Sequence, residues 1–303
     1  MTEKYHPEGM LIGTPENNAI LNNASLFAEA VHSRRIIEAR TTVCDSEHNL
    51  IVDLPHFKGI IPREEGAVGI ADGSTKDIAL ISRVNKPVCF YVNEIRSDGT
   101  AILSRRAVQE DCYREYVSRL SSGEIIPAIV THLEPFGCFV DIGCGIPSLI
   151  PIDAISVSRI FHPSDRFSVG QKIFAAVKGN ENNKILLTHK ELLGTWEENA
   201  SEFSHGQTVA GVVRSVEKYG IFIELTPNLA GLAEYRDGVR EGQSAGVYIK
   251  AIIPEKMKIK LIIVDVFDAK QEPSKLNYRI TDGKLTHWKY STPKSTKVIE
   301  TLF

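Results

Sequence analysis

The sequence predicts an all-β chain of three small five-stranded barrels in tandem, and three observations lead there. Residues 206–225 (GQTVAGVVRSVEKYGIFIEL) repeat residues 123–142 (GEIIPAIVTHLEPFGCFVDI) without a gap, 83 positions on, with five identities in twenty. The match resumes downstream with shorter loops: Leu149 with Leu232, Gly170-Gln171 with Gly242-Gln243, and 185–187 with 259–261. A weaker copy lies upstream, where HNLIVDL (48–54) aligns with FGCFVDI (136–142), GIIP (59–62) with SLIP (148–151), and AILSRR (101–106) with ILLTHK (185–190). Units that match in several places, in one order, are a repeat architecture and not two large domains.

Each unit reads as strand. IIPAIV and TVAGVV are β-branched runs, followed by the alternating segments PFGCFVDI and KYGIFIEL and then a short apolar strand, SLIPI or GLAEY. Two more strands close the unit, KIFAAVKG with ILLTHK and GVYIKAI with MKIKLII. Five short strands cannot bury both faces of an open sheet, whereas closure into a barrel buries one face and removes the edges. Gly137 and Gly220 stand inside strand patterns and read as the bulge or bend of a coiled strand.

The connecting segments have another period. Residues 15–35 read as a leading helix with Ile20, Leu21, Leu26, Phe27, Ala30 and Val31 as its apolar stripe. The Pro-free, charged stretches 104–122 and 188–204 suit linking helices, the second weakened by Gly194. Asp282-Gly283, between alternating flanks, predicts a terminal hairpin at about 276–290. The expected division is a helical segment at 1–32, barrels at 33–107, 123–192 and 206–266, linker helices at 108–122 and 193–205, and a hairpin tail at 267–303.

Composition limits the function. The chain has 303 residues, 43% hydrophobic and 24% charged, as in an ordinary folded protein, with no apolar run of membrane-spanning length. Its N-terminus lacks the layout of a secretory signal, and five cysteines without a Cys-x-x-Cys pair suggest neither a disulfide framework nor a zinc site. A reduced, cytoplasmic protein is expected. Net charge is −3, which argues mildly against nucleic-acid binding, but the average hides a gradient. Residues 1–32 carry one basic and four acidic side chains, while 267–303 carry seven and four. No Gly-x-Ser-x-Gly, phosphate loop or His-Glu-x-x-His occurs, so no enzyme, catalytic residue, metal or cofactor is expected. Histidines 132, 162, 189 and 205 have no ligand spacing and read as surface or strand-end residues. Trp288 with Arg279 and Lys284 forms either a basic aromatic patch or the packing face of the terminal hairpin.

The repeated signature is Gly-x-(Val/Ile), then (Phe/Tyr)-Gly-x-Phe-hydrophobic-acidic, then Gly-Gln, then a basic residue before Ile-x-Leu. It resembles the S1 (S-one) RNA-binding repeat, an OB-fold barrel named after a bacterial small-subunit ribosomal protein. The joints LSRR and HKELLGTWEENA are similar to that family's tandem connections. The resemblance covers about residues 33–266 and implies single-stranded RNA, mRNA in translation, as the partner, with the small ribosomal subunit as a further one. On it, Phe136 and Phe139, and Tyr219 and Phe222, are base-stacking pairs, and Lys184, Lys258 and Lys260 follow the phosphates. The family's histidine is replaced by Pro151 and Glu234, and its hairpin acid by Asn180 and Pro254. The first unit has His48 and Ile51 in place of the aromatic pair and is expected to serve another end. The rival readings are an RNA-binding accessory module of an RNA-processing enzyme and a protein-interaction scaffold; oligomeric state is left open.

Overall fold

Alternating strands put one apolar row inward and one mixed row outward, so a closed sheet buries the first and presents the second. A computed structural model has three such closed barrels and describes residues 4–181, 184–268 and 276–303, the Glu181 side chain excepted. The chain divides into two compact units, Met1–Leu120 with Asp141–Pro147, and Ser121–Val140 with Ser148–Phe303.

The first unit opens with α1 (Pro15–Leu21) and α2 (Ala24–Ser33). These are two helices where the periodicity predicted one. Asn23 breaks the run because its side chain caps α2, accepting from the Ser25 and Leu26 N–H groups. Barrel one follows as β1 (Ile37–Cys44), β2 (Leu50–Asp53), β3 (Lys58–Ile61), β4 (Pro87–Ile95) and β5 (Thr100–Ser104), with the short α3 (Ile78–Ile81) between β3 and β4. Phe27 and Ala30 of α2 join the buried cluster of Ile37, Leu50, Val52, Phe90 and Leu103. The linking helix α4 (Arg105–Glu115) begins on a Ser104 cap.

Barrel two is β6 (Ile125–Glu134), β7 (Gly137–Asp141), β8 (Pro147–Pro151), β9 (Lys172–Glu181) and β10 (Lys184–Thr188). The second linker is a single turn, Lys190–Leu193, and a five-residue helix, α5 (Trp196–Ala200). Gly194 (φ 85°) interrupts it, and Thr195 with Glu198 forms a capping box that restarts it. Barrel three is β11 (Thr208–Glu217), β12 (Gly220–Thr226), β13 (Leu229–Ala233), β14 (Ser244–Ile253) and β15 (Lys258–Phe267). All three barrels have the neighbour order first, second, third, fifth, fourth.

The tail differs from the expected hairpin. Strand pairing joins β16 (His287–Lys289) to β17 (Glu300–Leu302), beyond the Asp282-Gly283 turn. The residues beside that turn pair with the approach to β6 instead: Ile125 N–H donates to the Gly283 carbonyl at 3.1 Å and Leu285 N–H to the Gly123 carbonyl at 2.8 Å. Long-range pairing overrides the local turn signal. Trp288 and Tyr290 are buried in the barrel-three core, so Trp288 packs and forms no exposed patch. His189, read as a surface or strand-end residue, directly follows the end of β10 and is fully buried, edge-on to Phe167. All five cysteines are free. Among the described residues no helix is long and apolar enough to cross a membrane.

Candidate nucleic-acid interface

The aromatic pairs are positioned by the glycine between them. A Cβ on Gly137 would stand 2.6 Å from the Ile150 carbonyl oxygen, and one on Gly220 2.5 Å from that of Ala233. Neither distance is sterically possible, so in barrels two and three glycine is what lets the second strand approach the third. For Gly220 this corrects the bulge half of the bulge-or-bend reading: Gly220 pairs in register with Glu217, and the irregularity lies in β11 between Val213 and Ser215.

Each glycine separates an exposed ring from a half-buried one. Phe136 is 56% exposed and Tyr219 70%, unusual values for rings in a strand pattern. The Phe136 and Phe139 rings meet edge to face, with centroids 6.0 Å apart and planes at 89°. Tyr219 and Phe222 repeat that arrangement at 6.1 Å and 84°. Two independent copies thus hold the same rings in the same geometry, which a base can use as a platform.

Register extends the platform across barrel three. Phe222 on β12 faces Leu232 on β13, and Leu232 faces Lys260 on β15, so the three side chains form one outward row. Lys258 and Lys260 are both exposed on the same side of β15, while Ile259 and Leu261 point into the core. In barrel two Leu149 faces Leu186, and the exposed Lys184 lies two residues before Leu186 on β10. The cation therefore lies off the row in barrel two and on it in barrel three. In barrel one the row is Ile51, Ile60 and Ile102, all half-buried, without ring or charge. His48 occupies the turn before β2 with φ 64°.

The motif's acidic end is treated three ways. Asp53 in barrel one is exposed. Asp141 is buried in the first unit and accepts the N–H groups of Glu8, Gly143 and Gly145 at 2.7, 2.8 and 3.0 Å. Glu224 is buried in the second unit between two arginines: Arg214 reaches it with Nε at 2.8 Å and Nη2 at 3.3 Å, and Arg166 with Nη2. Arg166 is 0% exposed, so this ion cluster pins the β8–β9 connection to barrel three. No local signal announces it, because Arg166 and Glu224 are 58 residues apart.

Comparison with known proteins agrees with this geometry. Residues 119–190 match the S1 RNA binding domain model. "Small ribosomal subunit protein bS1" of Leuconostoc lactis is 29% identical over 77% of this chain and 57% of its own length. The Rhodopseudomonas palustris protein of that name is 30% identical over 60% of this chain and 32% of its own length. The Staphylococcus aureus protein is 26% identical over 79% and 64%. The chain thus spans about a third to two thirds of the length of these relatives. Residues 119–190 thus match the S1 RNA binding domain, and the chain is similar over about three quarters of its length to small ribosomal subunit protein bS1.

Proposed function

We propose that barrels two and three hold single-stranded RNA, mRNA in translation, and that barrel one serves another end, docking on the small ribosomal subunit. Bases stack on Phe136 and Phe139 and on Tyr219 and Phe222, while Lys184, Lys258 and Lys260 accompany the phosphates. The observation that carries this reading is the recurrence of one exposed edge-to-face pair, at 6.0 and 6.1 Å, in two barrels and its absence from the third. The names of the bS1 relatives and the matched S1 model support it. The role is binding, without catalysis, in the cytoplasm.

Fluorescence anisotropy with a labelled pyrimidine-rich oligomer and its duplex tests this. Single strands should bind far better than duplex. Replacing either aromatic pair with alanine should cost about 1–3 kcal/mol per stacked base lost, whereas the His48 and Ile51 pair should cost almost nothing. Thermal melts must accompany the titrations, since a core Phe→Ala change costs about 3–5 kcal/mol of stability. Equal affinity for duplex and single strand would end the stacking model.

A further inference from the structure

Phe161 is an aromatic ring that the fold does not use. It lies in the long β8–β9 connection, 47% exposed, while Ile160 and Phe167 of the same loop are buried. The exposed Arg159 holds its guanidinium carbon 5.6 Å from the Phe161 centroid, in cation–π range. The backbone beneath is firmly tied. Phe161 N–H donates to Asp165 Oδ2 at 3.1 Å, and Asp165 pairs with Arg214 of β11 at 3.3 Å. Val157 N–H donates to Asn228 Oδ1 at 2.9 Å, and Ser158 N–H to the Pro227 carbonyl at 3.3 Å. The loop also starts at the known pair, since Ile152 N–H donates to the Phe136 carbonyl at 3.0 Å.

The corresponding β13–β14 connection of barrel three exposes Tyr235 (54%) next to Arg236. Among the described residues the exposed Phe and Tyr side chains are Phe136, Phe161, Tyr219, Tyr235 and Phe267, all in the second unit. The unit that carries the stacking pairs thus also carries the remaining exposed rings. We propose that Phe161 and Arg159 form an additional base-stacking platform for single-stranded RNA, on the loop that ties barrel two to barrel three. This rests on the RNA-binding reading above. A ring on a pre-ordered loop loses little freedom when a base covers it, and the neighbouring guanidinium suits a base face or a phosphate. The polar surroundings, Arg159, His162 and Ser164, fit a nucleotide better than an apolar protein surface.

The test uses the full chain and Phe161→Trp. Both native tryptophans are buried, at 2% and 5% exposure, so the new indole reports on the loop. A pyrimidine-rich oligomer should quench its emission along the binding curve read by anisotropy of the labelled RNA. Phe161→Ala should weaken binding roughly tenfold, one stacked base's worth, without moving the melting temperature. If wild type binds the oligomer but Phe161→Trp emission stays constant at saturation and Phe161→Ala binds as wild type does, this platform is wrong and the pair sites stand. If wild type binds no RNA, both readings fall together.

Discussion

Barrels one and three share strand order, yet their outward rows differ in ring and charge. Ile51, Ile60 and Ile102 occupy the positions that Phe222, Leu232 and Lys260 occupy in barrel three. The motif's acid diverges as far, from the solvent-exposed Asp53 to the fully enclosed Glu224. Inward-facing residues preserve the barrel in both, so the fold says nothing about which barrel binds RNA. On the proposed reading, the outward row does.

The acidic position gives the largest contrast. Glu224→Gln would leave Arg166 and Arg214 enclosed with one carboxylate fewer, and removing one partner of a buried pair costs about 3–5 kcal/mol. Asp53→Asn, at a solvent-exposed site, should stay within about 0.5 kcal/mol. Urea unfolding followed by tryptophan fluorescence reads the first directly, because Trp196 and Trp288 both lie in the second unit. Equal costs at the two positions would show that the ion cluster contributes no net stability.

The two units should also respond oppositely to pH. Burial, with Glu8 adding repulsion, pushes the Glu38 carboxyl up to about 7 against the N–H groups of Leu11 and Gly9. Folded Glu38 keeps its proton to near neutrality while the unfolded one loses it near its ordinary value. Its contribution is therefore full at low pH and fades as pH rises toward 7, by at most about 3 kcal/mol. Burial, with the Arg166 charge adding to it, pulls His189 down to about 4. Its Nδ1–H donates to the Ile155 carbonyl at 2.8 Å, which leaves Nε2 to accept from the Tyr278 hydroxyl at 3.0 Å. The unfolded imidazole gains its proton first, so the second unit loses stability as pH falls from about 6.5 toward 4. Between about pH 5 and 7, amide exchange of β4 should show wild type losing protection relative to Glu38→Gln as pH rises. Tryptophan-monitored unfolding should show wild type gaining on His189→Gln over the same range. Parallel slopes in the two units would remove this distinction.

What the sequence displays depends on the range of the interaction. Repeat, barrel closure and aromatic pairs were legible because each is written within one unit: strand period, an embedded glycine, rings three apart. The helix break at Asn23 is hidden in the sequence because a capping asparagine interrupts a stripe that otherwise continues through Ile20, Phe27 and Ala30. The tail departs from its local turn signal because residues 283–285 pair with 123–125, which outweighs that turn. The burial of His189 and the Arg166–Glu224–Arg214 cluster depend on contacts between segments far apart in the chain. Phe161 carries only a weak sequence signal, an aromatic shortly before Pro163, Ser164 and Asp165, until its exposure and its arginine are seen together.

The smallest effect is the most discriminating about the outward row. Lys260 is in register with Leu232 and so with Phe222, whereas the matching position of barrel two is Leu186. If RNA follows that row, Lys260 neutralises one phosphate as a base stacks on Phe222. Lys260→Leu should then shallow the dependence of log affinity on log salt by about 0.7, the single-strand value for one phosphate, and lower affinity by less than loss of an aromatic pair does. Leu186→Lys should steepen the slope by the same amount, since Phe139 already supplies the ring and Leu186 is only half-buried. Ile102→Lys adds the same charge to barrel one, where no ring stands beside it, and should leave single-strand preference unchanged. Leu186→Lys and Ile102→Lys add the same charge and Lys260→Leu removes one, so the difference between the two additions isolates the ring. An unchanged slope in Lys260→Leu would place the RNA path off the row defined by Phe222 and Leu232. Equal gains from Leu186→Lys and Ile102→Lys would mean that net charge, and not the aromatic pair, distinguishes the barrels.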